Sequence, residues 1–165
     1  MDVAFERYTH ADPAFEIDLP AGAEVGAVAG TLVVARAPES ASSSPFRSNL
    51  TIVAEELPDD VDPAEHAEAS LVQEAEGLPG WRLIDRATDM IDGHEASRTL
   101  ATYIVGRESG VDFGRDLPVT LEQWRLVRGS RAWIASASCE TGDYALFGQL
   151  WATCATSLRV GNSSS

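Results

Sequence analysis

The sequence predicts an α+β fold, a largely antiparallel β-sheet covered by helices, in a single domain over residues 1–160. Three observations carry this expectation. Short β-like runs fill the first third, one capped amphipathic helix follows, and two hairpins in succession then lead into a last helix. A chain that meanders, instead of alternating strand and helix at every step, does not build a parallel sheet. The length of 165 residues, with 44% hydrophobic types, suffices for one core and is short for two.

Each element has its own signal. Val3 to Thr9 is a short β-like run, and in Phe15 to Leu19 the apolar Phe15, Ile17 and Leu19 alternate with Glu16 and Asp18 as in a half-buried strand. Pro20-Ala21-Gly22 turns the chain. From Val25 to Arg36 the apolar and β-branched residues Val28, Leu32, Val33 and Val34 are dense enough for a strand near the sheet centre. Glu39 to Pro45, with Ser42, Ser43 and Ser44, reads as a polar, mobile loop. Asn49 to Leu57 resumes the alternation, with Leu50, Ile52 and Ala54 on one side and Thr51, Val53 and Glu55 on the other.

The period then changes. Asp62 is a good N-cap, Pro63 fits the first helical position, and Glu65 completes a capping-box pattern. Ala64, Ala67, Leu71, Ala75 and Leu78 form one narrow apolar stripe, by which this helix should lie on the sheet under an acidic outer face. Gly77 and Pro79-Gly80 end it. Trp81 to Ile91 and His94 to Gly106 flank Asp92-Gly93, a dipeptide suited to a tight hairpin. Arg107 to Leu117 reads as a loop, and Pro118 to Val127 with Arg131 to Cys139 as a second hairpin about Arg128-Gly129-Ser130. Tyr144, Phe147, Leu150, Trp151, Cys154 and Leu158 recur at helical spacing in a helix that should dock on the core. Residues 161–165 read as a disordered tail.

Composition narrows the chemistry. All 12 basic residues are arginine, so a P-loop lysine, a Schiff base and a serine–lysine dyad are excluded. The net charge of -14 disfavours nucleic acid and anionic lipid as partners. That charge is uneven: residues 1–80 hold 16 carboxylates and 3 arginines, whereas residues 81–165 hold 10 and 9. The run from Glu55 to Glu76 contains no arginine at all. No signal segment and no membrane span is visible, which reads as cytoplasmic.

Candidate chemical groups are sparse. His94-Glu95 begins like a zinc-protease motif, but Arg98 stands where the second histidine is needed. His10 and His66 read as solvated. Cys139 and Cys154 match no metal spacing and read as buried thiols, with a disulfide between strand and helix left open. Ser109 misses the nucleophile-elbow spacing by one residue, and Asp112 and Asp116 lack the dense oxygen ligands of a calcium loop. No catalytic residue, metal ligand or cofactor site is expected.

Pro45 to Val53 leading into the first helix, Ile91 to Ala96 at the hairpin, Gln123 to Leu126 followed by Arg131 to Ala137, and the final amphipathic helix together resemble the PsbP-like α/β/α sandwich superfamily. That superfamily includes the photosystem subunit PsbP, a yeast Ran-binding import factor, bacterial DcrB-type proteins and the actinobacterial LpqN-type lipoproteins. The resemblance spans roughly residues 13 to 160. It implies a protein that binds, assembles or chaperones without catalysis; a branch similar to DcrB accompanies type VI secretion effectors. The signal and lipobox cysteine of the lipoproteins are not matched.

The expected function is thus a non-enzymatic bacterial adaptor, assembly factor or effector-type chaperone. The alternative is a structural subunit of a larger secretion or contractile-type assembly, with a small-molecule binder or hydrolase behind both. The expected partner is a protein with a basic segment, and a homodimer is compatible with either reading. Docking falls to the acidic Glu55, Glu56, Asp59, Asp60, Glu65 and Glu68, with Trp81 and Trp124 near strand ends as aromatic anchors. Each also has a plainer role, the acids as a solubilising face and the indoles as core.

Overall fold

The computed structural model describes residues 2–161. The chain runs β1 (Phe5–Ala11), β2 (Ala14–Pro20), β3 (Glu24–Gly26), β4 (Val33–Arg36), β5 (Asn49–Glu56), α1 (Pro63–Gly77), β6 (Arg82–Ile91), β7 (His94–Val105), β8 (Leu117–Arg128), β9 (Arg131–Glu140), α2 (Tyr144–Thr156) and β10 (Arg159–Val160). Seven strands form one sheet in the order β3-β4-β5-β9-β8-β7-β6, and β1, β2 and β10 form a second. Every pairing is antiparallel. This is the α+β arrangement the sequence predicts. Of the expected tail, residues 162–165 lie outside the described residues.

Alternation along the central strands decides which face of the large sheet is dry. Leu50 and Ile52 of β5, Trp124 and Leu126 of β8, and Trp133, Ala135 and Ala137 of β9 all point one way and are buried. Against them pack Phe15, Ile17 and Leu19 of β2 and Phe147, Trp151, Cys154 and Ala155 of α2. The core is therefore a layer between the large sheet and a cover made of α2 with the small sheet. The β6–β7 hairpin closes through Asp92 at φ 53° and Gly93 at φ 77°, the two left-handed residues a tight turn of that hand requires.

Two expectations change. Val25 to Arg36 is not one central strand: it divides into β3 and β4 at the sheet's edge. Gly30 at φ 85° and the Thr31 hydroxyl, which bonds both the amide and the carbonyl of Val28, turn the chain between them. The apolar run therefore divides, Val25 and Val28 being exposed and Val33, Val34 and Ala35 buried. The indole of Trp124 is 1% exposed in mid-strand and donates to Asp89 Oδ2 at 2.9 Å, so it is a core residue and not a surface anchor. The alternation of β8 sends it inward with Leu126.

Cys139 and Cys154 lie buried and free in this layer. Burial, with nearby carboxylates adding to it, pushes both thiols up to about 12, so neither is a thiolate nucleophile near neutral pH.

A buried polar relay pins α2 to the start of β5. Trp151 Nε1 donates to Ser48 Oγ at 2.7 Å, and that hydroxyl donates onward to the Ser138 carbonyl at 3.1 Å. Ser48→Ala leaves a buried indole N–H unpaired, which costs about 1–3 kcal/mol. Urea unfolding followed by tryptophan fluorescence is expected to show a lower midpoint with an unchanged slope; an unshifted midpoint refutes the relay.

Candidate functional site

The other face of the large sheet is built differently. Across neighbouring strands the register aligns Arg86, Thr99, Gln123, Ser136 and Thr51 in one row, and Thr88, Ser97, Arg125, Ile134 and Val53 in the next. These are the same strands whose opposite face is core, read one residue out of phase. Gln123 Nε2 donates to Ser136 Oγ at 3.0 Å, so the first row is tied laterally. Under α1 the apolar residues of this face are Val53, Val127 and Ile134, with Leu57 and Ala132 beneath the start of the helix; farther along the same phase Ala101, Leu117, Val119 and Leu121 are buried.

Helix α1 crosses this face. Asp62 caps it by accepting from Ala64 N at 2.8 Å, with Pro63 in the first turn as the sequence predicts. The amide accepted is that of Ala64, not that of Glu65 on which the capping-box expectation rested. The packing expectation holds only in part: Ala67, Leu71 and Leu78 of the stripe are half-buried over the sheet, whereas Ala64 and Ala75 are exposed. None of its residues is buried, whereas α2 buries Phe147, Gly148, Trp151, Cys154 and Ala155. Ala64, Ala67 and Ala75 are too small to reach across to a floor of Thr, Gln, Ser and Arg, and a polar floor offers little reward for dehydration.

What results is a cleft of about 740 Å³ between α1 and the sheet. Its volume lies within the range of ligand-binding sites, roughly 300–1,000 Å³. Arg125 spans it: 14% of its side chain is exposed, Nη2 donates to Ser70 Oγ at 3.0 Å, and Nη1 donates to His66 Nδ1 at 3.3 Å. Glu55 Oε2 lies 3.7 Å from the same guanidinium. Arg86 pairs with Glu68 of α1. At the helix ends, Leu57 N donates to Ser130 O at 2.7 Å and Ile104 N to Pro79 O at 2.8 Å. The helix is thus held by polar straps with a gap beneath it.

Glu74 lines the cleft beside Gln123. Burial holds its carboxyl above the usual carboxylate range, opposed by the Gln123 amide and by Arg125. Behind it, burial raises the Tyr103 phenol, against a bond with Ser138 and with Glu74 adding to the rise. Ser70 donates to the His66 backbone carbonyl at 3.0 Å, so these two residues do not form a serine–imidazole pair. Ser109 is engaged with both the amide and the carbonyl of Gly106. Among the described residues no three His, Cys, Asp or Glu side chains converge as a metal site.

The acidic residues singled out from the sequence divide by place. Glu55, 42% exposed at its side chain, and Glu68 line the cleft. Asp59 and Asp60, in the turn before α1, and Glu65, in its first turn, are exposed at the approach to it. Glu56 faces the other way and pairs with Arg131 at 2.6 Å, so it takes no part in the cleft. Trp81 is partly buried after α1, its indole N–H enclosed without a partner in the structure. Sequence reasoning missed Glu74, Thr99, Gln123, Arg125 and Ser136. The available signal was the pair of long polar residues Gln123 and Arg125 in the phase of β8 opposite Trp124.

A scan against protein-family models finds no match, and no curated protein matches the chain. Solved structures do. The cyanobacterial PsbP of Synechocystis superposes with a TM-score of 0.63 at 16% identity, covering 98% of this chain and 95% of that one. LpqN of Mycobacterium tuberculosis, described as involved in cell envelope biogenesis, gives 0.61 at 13% identity over 97% and 92%. The Saccharomyces cerevisiae Ran-binding protein Mog1p gives 0.59 at 13% identity over 96% of each chain. The chain has the PsbP- and Mog1p-like fold, as the motifs of its strands and last helix imply.

Two measurements check the two faces. Leu71→Ala on α1 is expected to cost less than about 1 kcal/mol, against about 2–5 kcal/mol for Leu50→Ala in the core, by chemical unfolding. Equal losses contradict an open cleft. On the core face Glu122, 4% exposed, has its carboxyl raised by burial, opposed by a 3.1 Å bond from Tyr144 and by Arg98 at 3.5 Å, with Asp89 adding to the rise. A folded-state pKa above the unfolded value gives stability that is present below the unfolded pKa and lost as pH rises through the folded one. Glu122→Gln keeps an acceptor for Tyr144 and cannot ionise. Its melting temperature relative to wild type is therefore expected to be higher near about pH 7 than near about pH 4; a gap independent of pH contradicts the assignment.

Proposed function

We propose that this chain, with its PsbP- and Mog1p-like fold, is a non-enzymatic protein-binding module of the adaptor, assembly-factor or chaperone kind, and that it docks a partner segment in the cleft beneath α1. The observation that carries the reading is a helix with no fully buried residue. A helix covering a sheet normally hides one face, and here that face is only half-buried, which leaves the cleft between it and the floor available to a third party. The cleft lining mixes apolar and hydrogen-bonding groups as recognition surfaces do, with Leu71 of the helix and Val127 and Ile134 of the floor beside Gln123, Ser136 and Thr99.

Electrostatics selects the partner. Asp59, Asp60 and Glu65 are exposed and stand at the approach to the cleft without an ion pair among the described residues. Such a field speeds encounter with a basic segment and repels acidic ones. The yeast protein of this fold is a Ran-binding protein by description, which agrees with a binding role and names no partner for this chain. A cytoplasmic setting belongs to the same proposal. Among the described residues no helix is long and apolar enough to cross a membrane.

The test is affinity capture from the native host followed by binding measurements on the captured protein. Association is expected to weaken as salt rises through about 0.15 M, where the screening length is about 8 Å. Reversing Asp59, Asp60 and Glu65 to arginine is expected to slow association, and Ala67→Trp, which fills the cleft from the helix side, to abolish it. Binding that ignores both changes overturns the proposed site.

A further inference from the structure

Resting on that reading of the cleft, we propose that it takes a basic side chain of the docked segment, a lysine or an arginine, held by the carboxylate of Glu74 on α1. The argument is a charge inventory. Four carboxylates line the cleft: Glu55, Glu68, Glu74 and Glu95. Glu55 lies against Arg125 and Glu68 against Arg86, so both arginines that face the cleft are already matched. The side chain of Arg98, whose backbone borders the cleft, belongs to the core face and meets Asp85 at 3.4 Å and Glu122 at 3.5 Å.

Glu74 and Glu95 are left without an ion pair among the described residues. They differ in setting. Glu95 is exposed beside the β6–β7 turn, where water suffices for it. Glu74, on α1, is half-buried in the cleft with Gln123 and Arg125 of β8, and these two favour its ionised form against the burial that opposes it. Arg125 cannot turn wholly to it, being bound to Ser70 and His66 and drawn toward Glu55.

A cation entering the cleft therefore meets a desolvated carboxylate whose charge nothing else fully balances, and its arrival favours the ionised form. An anion would have to displace Glu55 from Arg125 or Glu68 from Arg86 and then sit beside Glu74, on a chain of net charge -14. The remaining lining, Leu71, Val127 and Ile134, suits the aliphatic stem of a long basic side chain and its apolar neighbours.

The experiment uses the full chain with two blocked peptides, Leu-Ala-Arg-Ala-Leu and the same peptide with neutral, isosteric citrulline in place of arginine, titrated by amide NMR. The arginine peptide is expected to shift the amides of Glu74, Gln123 and Ser136 and to bind about tenfold more tightly than the citrulline peptide. Glu74→Gln is expected to remove that discrimination, and Glu95→Gln to leave it. Equal binding of both peptides to the wild-type cleft overturns this inference and leaves the docking site standing. Failure of both peptides to perturb the cleft overturns the inference together with that reading. The two-peptide comparison on the wild type needs no variant to fold, and glutamine, a good helix former of the same shape, preserves α1 at position 74.

Discussion

Everything in this molecule depends on the two-residue period of β5, β8 and β9, which sorts one set of side chains into a dry layer and its complement onto the opposite face. Along β8 the residues Glu122, Trp124 and Leu126 face the core, while Gln123, Arg125 and Val127 face α1. A slip of one residue would send Arg125 and Gln123 inward and Trp124 outward, so the register is determined by the cost of burying a guanidinium against the gain of burying an indole. The β8–β9 pairing of Trp124 with Ala135, and of Leu126 with Trp133, sets large against small or large against large on one side only. Both tryptophans of these two strands, and Trp151 of α2 against them, are buried.

The two helices answer this asymmetry in opposite ways. Helix α2 brings Phe147, Trp151 and Cys154 to the dry face and is locked there by the Trp151–Ser48 bond. Helix α1 meets a face that rewards polar contact instead, and it is held by Arg125 and Arg86 from the sheet and by backbone bonds at its two ends. The exposed Arg86–Glu68 pair is worth at most about 1 kcal/mol. Local stability therefore differs across the molecule. The layer containing α2 holds the buried apolar contacts and α1 has no fully buried residue, so a local shift costs less at α1, which is the condition a docking cleft needs.

Most of the architecture is legible in the sequence because each signal is local. Asp62, Pro63, Gly77 and the Asp92-Gly93 turn report their elements without reference to anything distant, and the alternation of Leu50 and Ile52 with Thr51 and Val53 reports two faces. The cleft is not legible in the same way. The stripe of Ala64, Ala67, Leu71, Ala75 and Leu78 has the right spacing for a packed helix. Whether it packs depends on Thr99, Gln123, Arg125 and Ser136, which lie tens of residues away and act only once the register has aligned them. The same non-locality misplaces Trp124, whose burial follows from its phase in β8 and not from its distance to a strand end. In Val25 to Arg36, composition speaks for a strand while Gly30 and Thr31 turn it.

Charge closes the argument, because the acidity of the chain is less free than the sequence suggests. Arginines take up part of it in pairs: Arg7 with Glu16 and Asp18, Arg47 with Glu24, Arg131 with Glu56, and Arg128 and Arg159 within reach of Asp92. These pairs tie strands or loops that are neighbours in space. The run from Glu55 to Glu76 has no arginine of its own, and among the described residues the sheet reaches it with three, Arg86, Arg125 and Arg131. Asp59, Asp60, Glu65, Glu74 and Glu76, with the capping Asp62, are what that supply leaves over. Unbalanced like charges on one helix and its leading turn repel one another and weaken α1 in isolation. A basic guest relieves that repulsion as it binds, so the charge that makes the helix costly alone also makes it a receptor.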